Sequence, residues 1–249
     1  MSTATESRTT AAGGRQWARV GKLFYSPELL GQDIRRDRSW WLPFLITVIL
    51  VYGLSIAAAH RVGFEQLTLN VLRAQGTSDP QTSDVAGSAQ PGVNFRNSVM
   101  VFEASSYAAP LIIIIYNVMY ALLLQLAFRL VTGAQASFSM IFAVLLYCDL
   151  IQDVRTVMSA IVLFLSAEPN SYNLQNPVGT NLGYYIGAGY PAWARVLFEA
   201  ADIITIWYLL IIALGCAAAL KVERKSSFYI VFGLWLMVVT IRVMWSAIV

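Results

Sequence analysis

Four stretches of the chain run without charge, or nearly so, for the length of a bilayer crossing. Residues 39–59, beginning "SWWLPFLITVIL", are uncharged over 21 positions, and residues 104–128, containing "PLIIIIYNVMYALLLQLAF", over 25. Residues 203–220 are uncharged over 18, and residues 226–249 are interrupted only by Arg242. A helix needs about 20 apolar residues to cross the hydrocarbon core, so each predicts a membrane helix. A fifth apolar stretch, residues 138–167, differs because "CDLIQDVR" lies in its middle and carries Asp149, Asp153 and Arg155. Its apolar arms are 11 residues before Asp149 and 12 after Arg155. Neither arm could span alone, so one long crossing with a polar break is expected rather than a hairpin of two spans. The pattern therefore predicts an all-α polytopic membrane protein of five spans, at about 40–59, 104–128, 138–167, 197–220 and 227–248.

The polar segments add detail. The first residues, "MSTATESRTTAAGGRQ", are small and polar, and a disordered tail is expected over residues 1–25. Residues 26–38 predict an interfacial helix, with Ser26 as cap and Pro27 at the first helical position. Its Leu29, Leu30 and Ile34 are expected to face lipid, with Arg35, Arg36 and Arg38 among the headgroups. Residues 61–74 predict a short amphipathic helix, and residues 76–92, rich in Ser, Gly and Pro, a flexible linker. The first apolar run is too long for a cleaved secretory signal, and none is expected.

Composition agrees with the pattern. The 249 residues are 57% hydrophobic and 12% charged, with mean hydropathy +0.61, whereas a soluble domain is about 25% charged. No phosphate-binding glycine loop and no zinc-type Cys/His spacing occurs in the sequence. Cys148 and Cys216 lie in apolar runs and read as packed thiols, and His60 as an interfacial spacer. No enzyme activity, cofactor, metal or nucleic-acid partner is expected. With five crossings, Arg8, Arg15, Arg19, Lys22, Arg35, Arg36, Arg38, Arg129, Lys221, Arg224 and Lys225 fall on one side. The positive-inside rule makes that side cytoplasmic, with the C-terminus outside.

Charges inside a span are costly and point to function or to pairing. At 1.5 Å per residue, Arg155, Asp202 and Arg242 lie roughly 26 to 28 Å from the inner turns, at one level, with Glu199 a turn further out. A neutralising cluster is expected there, Asp202 pairing with Arg242 across the last tight turn. Asp149 and Asp153 are shallower and share a helix face. Two like acids in a low dielectric disfavour joint ionisation. Either they form a proton or cation relay, or they meet polar groups such as Asn117 or Gln125 on the preceding span.

Four stretches, "FYSPELLGQDIRRDRSWWLPF", "SFSMIFAVLLYCDLIQDV", "TNLGYY" and "DIITIWYLLIIALGCAAALKVERKSSFYIVFGLWL", resemble the Yip family. These are membrane proteins named for interacting with Ypt/Rab GTPases, and the likeness is to the bacterial branch in particular. The resemblance implies five spans, a cytoplasmic N-terminus, the bacterial cytoplasmic membrane and no catalysis. It also implies a Tyr, a small residue and then a Pro in the third span. Tyr147 and Cys148 fit, but Ile151 stands at the proline position. The acidic and Gly-Tyr motifs of the eukaryotic N-terminus are not evident, so Rab binding does not carry over. The reading is of a scaffold in the lipid bilayer with a membrane-protein partner, a homo-oligomer remaining open. The alternative is a transport component, or accessory to an exporter, that uses Asp149 and Asp153.

Overall fold

The computed structural model describes residues 16–74, 95–165, 168, 171–174, 176–186 and 189–248. Among these the regular structure is helical, apart from one isolated antiparallel bridge between Asn181 and Asp202. The linker at 76–92 and the tail up to residue 15 lie outside the described residues.

In chain order the helices are α1 (residues 16–25), α2 (Pro27–Arg36), α3 (Trp41–Arg61), α4 (Phe64–Ala74), α5 (Phe95–Tyr107), α6 (Ala109–Thr132) and α7 (Phe138–Leu165). A 3-10 turn at Leu182–Tyr185 follows, then α8 (Ala192–Ala200), α9 (Ile203–Leu220) and α10 (Arg224–Ile248). Four of these, α3, α6, α9 and α10, are long and apolar enough to cross a membrane. Helix α7 has 28 residues, roughly 42 Å at 1.5 Å per residue. Every 18-residue stretch within it contains Asp149, Asp153 and Arg155, which sets it apart from the other four.

Helix α7 is unbroken through its polar centre, contrary to the expected break. Ile151, unlike proline, keeps its backbone N–H and leaves the carbonyl of Tyr147 unobstructed. Two other expected span limits also shift. The helix expected from 104 ends at Tyr107, and α6 starts at Ala109 with Pro110 in its first turn, where a missing N–H costs nothing. The span expected from 197 starts at Ile203 instead. The Asp202 Oδ1 accepts the backbone N–H of Ile204 at 2.8 Å and so caps α9, leaving α8 as a separate short helix.

The residues group into two compact units. One holds the described residues of Met1–Thr47, Ile114–Gln152 and Ile206–Met237; the other those of Val48–Ile113, Asp153–Thr205 and Val238–Val249. In the first unit residues 16–25 are helical, so the disordered tail does not extend to residue 25. Ser26 precedes α2 and Pro27 opens it, but the serine side chain makes no capping bond. Leu30 and Ile34 are fully buried in protein, and only Leu29 is exposed. An apolar helical stripe can face lipid or protein equally well, and here Gly31 decides between them. A Cβ at Gly31 would stand 2.4 Å from the Gly215 carbonyl oxygen and 2.9 Å from the Ala218 Cβ. Helix α2 is thus seated directly on the backbone of α9.

In the second unit Ala58, Leu67, Leu163 and Tyr172 form a buried cluster, with Phe64 and Phe102 packed against it. The Asn70 Nδ2 donates to the Tyr172 carbonyl at 2.7 Å, and the Tyr172 hydroxyl donates to the Ser159 carbonyl at 3.2 Å. Burial pushes the Tyr172 phenol up to about 12.

Candidate functional site

The first unit contains a polar site inside its apolar core. Asp149 on α7 accepts from the Nδ2 of buried Asn117 on α6 at 2.7 Å, and from the hydroxyl of Tyr208 on α9 at 3.3 Å. One carboxylate therefore joins three helices. Asn117 is the partner anticipated for the acids, whereas Gln125 donates to the Ala136 carbonyl at 3.0 Å in the turn after α6. Tyr147 is fully buried on the same helix. Its hydroxyl has no hydrogen-bond partner among the described residues.

Arg19 is itself buried at the N-terminal side of this unit. It donates to the Ser39 hydroxyl at 3.2 Å, the Asp33 carbonyl at 3.2 Å and the Asp37 carboxylate at 3.1 Å. Lys22 pairs with Asp33, and Arg224 with Glu28 at 2.7 Å. Burial pushes the Asp37 carboxyl up, but hydrogen bonds from the Ser39 backbone and hydroxyl, with the Arg19 guanidinium, hold it below the ordinary value.

The second unit contains the other ionic centre. Arg155 on α7 is paired with Asp202, which is 2% exposed, and also donates to the Thr205 hydroxyl at 3.2 Å. The level deduced for Arg155 and Asp202 brings them together, but the partner expected for Asp202 is wrong: Arg242 is exposed on α10. Arg155 wins because α7 presents it beside the capped start of α9. Glu199 is exposed on α8 and takes no part in the pair, since the chain turns between Ala200 and Ile203. Asp153, 4% exposed, is buried in this unit.

Asp202 also anchors the loop "TNLGYY". The Ile203 N–H donates to the Thr180 carbonyl at 3.1 Å, beside the Asn181–Asp202 bridge. Asn181 accepts from the Tyr184 N–H at 2.9 Å and exchanges side-chain amide bonds with Asn176. Arg19, Gly31, Asn181 and Arg195 had no assigned role in the sequence. Only Asn181 carried a local signal, an Asx-type cap before Gly-Tyr. Among the described residues no three His, Cys, Asp or Glu side chains come together as a metal ion would require.

Four apolar helices of spanning length, with polar ties such as Asp149–Asn117 between helices, define an integral membrane protein. Its sequence matches the Yip1 domain over residues 21–245, nearly the whole chain, and the protein belongs to that family. No curated protein and no solved structure is a significant match to the chain.

Proposed function

We infer that this Yip1-family protein is a non-enzymatic scaffold of the bacterial cytoplasmic membrane that crosses it five times and organises a membrane-protein partner. The observation that carries this reading is the use made of the charges within the helices. Asp149 is held by Asn117 and Tyr208, and Asp202 by Arg155, so each links neighbouring helices. Groups committed to such ties serve a fixed framework better than a path for moving charge. The α1–α2 segment, seated on α9 by Gly31 and tied by Arg19, offers a formed surface for a partner. The excess of Lys and Arg in the N-terminal segment and the two short turns supports a cytoplasmic N-terminus and an external C-terminus.

Affinity capture of the full chain in mild detergent tests the scaffold. A reproducible membrane-protein partner is expected; recovery of the chain alone, with unchanged membranes on deletion, contradicts it. A transport reading is favoured by one observation, the burial of Asp153 on the helix that also carries Asp149 one turn earlier. Asp149→Asn with Asp153→Asn in proteoliposomes separates the two readings. The scaffold predicts no proton- or ion-dependent flux in either protein, and flux lost in the variant would establish transport.

A further inference from the structure

Helix α3 has 21 residues, roughly 31 Å at 1.5 Å per residue, which matches a hydrocarbon core of about 30 Å. His60 stands in its last turn, and so at the boundary between lipid and water. It is the only histidine in the chain. A pocket of about 200 Å³ lies beside it, whose lining includes Tyr52, Ser55, Ile56 and His60 of α3 and Ser106 and Tyr107 at the end of α5.

Contacts between its walls hold the pocket in shape. The Tyr52 hydroxyl donates to the Tyr107 carbonyl at 2.7 Å, and the Tyr107 ring centroid lies 6.4 Å from that of Phe64, the first residue of α4. The Ser106 hydroxyl donates to the Phe102 carbonyl at 2.9 Å. Both of these hydroxyl hydrogens are committed, and the Tyr52 and Ser106 oxygens keep lone pairs that can accept. The Ser55 and His60 side chains make no hydrogen bond among the described residues, so each keeps a donor. No carboxylate lines the pocket.

We propose that this pocket binds the phosphoglycerol headgroup of a membrane phospholipid, His60 and Ser55 donating to its phosphate and the Tyr52 and Ser106 oxygens accepting from its glycerol hydroxyls. The ligand must both accept and donate, as a phosphate joined to hydroxyls does. An ammonium headgroup would lose its water here with no carboxylate to offset the cost. The lipid, rather than a soluble ester, is the source because the pocket and the lipid-facing stripe share one face of α3. Ile56 is a wall of the pocket and 58% exposed, and Ile49 is 61% exposed. At 100° per residue Ile49 lies about 20° round the helix from Ile56, and His60 and Tyr52 about 40° to either side of it. An acyl chain can therefore run down Ile56 and Ile49 directly from a headgroup seated beside His60.

The test uses the full-length protein in nanodiscs of equal phosphatidylglycerol and phosphatidylethanolamine, with retained lipid read by native mass spectrometry. The wild type is expected to retain phosphatidylglycerol preferentially. His60→Ala removes one donor to the phosphate and should cut that preference about fivefold. His60→Glu puts a carboxylate in the pocket and should reverse the preference towards phosphatidylethanolamine, a gain that a misfolded protein would not give. Soluble glycerophosphoglycerol in excess should leave the retained lipid in place. Retention of the two lipids in equal amounts by the wild type, or an unchanged ratio in either variant, overturns the site. Displacement of the lipid by the soluble ester overturns the bilayer as its source.

Discussion

Both oxygens of the Asp202 carboxylate are in use, Oδ2 on Arg155 and Oδ1 on the first turn of α9. Removing Arg155 alone leaves a buried carboxylate without its counter-charge, which costs about 3 kcal/mol or more. Arg155→Gln should therefore lower thermal stability in detergent sharply. The double variant Arg155→Gln with Asp202→Asn should recover much of the loss, because the stranded charge has gone. Additive losses in that double-mutant cycle would show that the two side chains act independently. Asp37 makes a pH-dependent contribution. Its carboxyl is held below the ordinary value in the folded protein, so its stabilisation is present above that value and is lost as pH falls through the folded one. Protection of the 16–39 backbone from hydrogen exchange should weaken below about pH 4. Asp37→Asn should show weaker protection at neutral pH and less of this acid dependence; an identical acid profile in the variant would remove Asp37 from the effect.

Helix α2 shows how far the sequence could be read at the scale of elements. Its limits were legible from Ser26, Pro27 and the apolar stripe, but not which medium the stripe faces. Leu30 and Ile34 suit lipid and protein alike, and the close approach of Gly31 to Gly215 depends on residues 184 positions apart in the chain. The same limit explains the misassigned pair. Helical rise placed Arg155, Asp202 and Arg242 at one level, but depth alone does not fix rotation about each helix axis. Asp149 was legible as an acid within an apolar span and Asn117 as one candidate partner, yet Tyr208 could not be found from spacing. Gly31→Leu should separate α2 from α9 at a cost of about 1 to 3 kcal/mol, the range for overpacking a tight contact. Limited proteolysis should then cut within residues 16–38 faster than in the wild type. Equal cutting would mean that α2 is not held by this contact.

For the molecule as a whole, the all-helical architecture was legible because spanning length and hydropathy are properties of contiguous sequence, and the family because four stretches of the chain resemble it. The path of α7 is the feature on which the rest depends. Its 28 residues form one unbroken helix, and Asp149 and Arg155 each meet partners on other helices. A single crossing makes five in all, puts the two termini on opposite sides, and makes these charges ties within a bundle. A re-entrant path would return both ends of the segment to one side and make the polar centre the tip of a loop. Single cysteines at Ser137 and Glu168, at either end of this segment, decide between them in a background with Cys148 and Cys216 replaced. Labelling with a membrane-impermeant maleimide in sealed, oriented vesicles is predicted to reach positions 137 and 168 from opposite faces. Labelling of both from the same face would contradict the single crossing and, with it, the assignment of the α7 charges to structure.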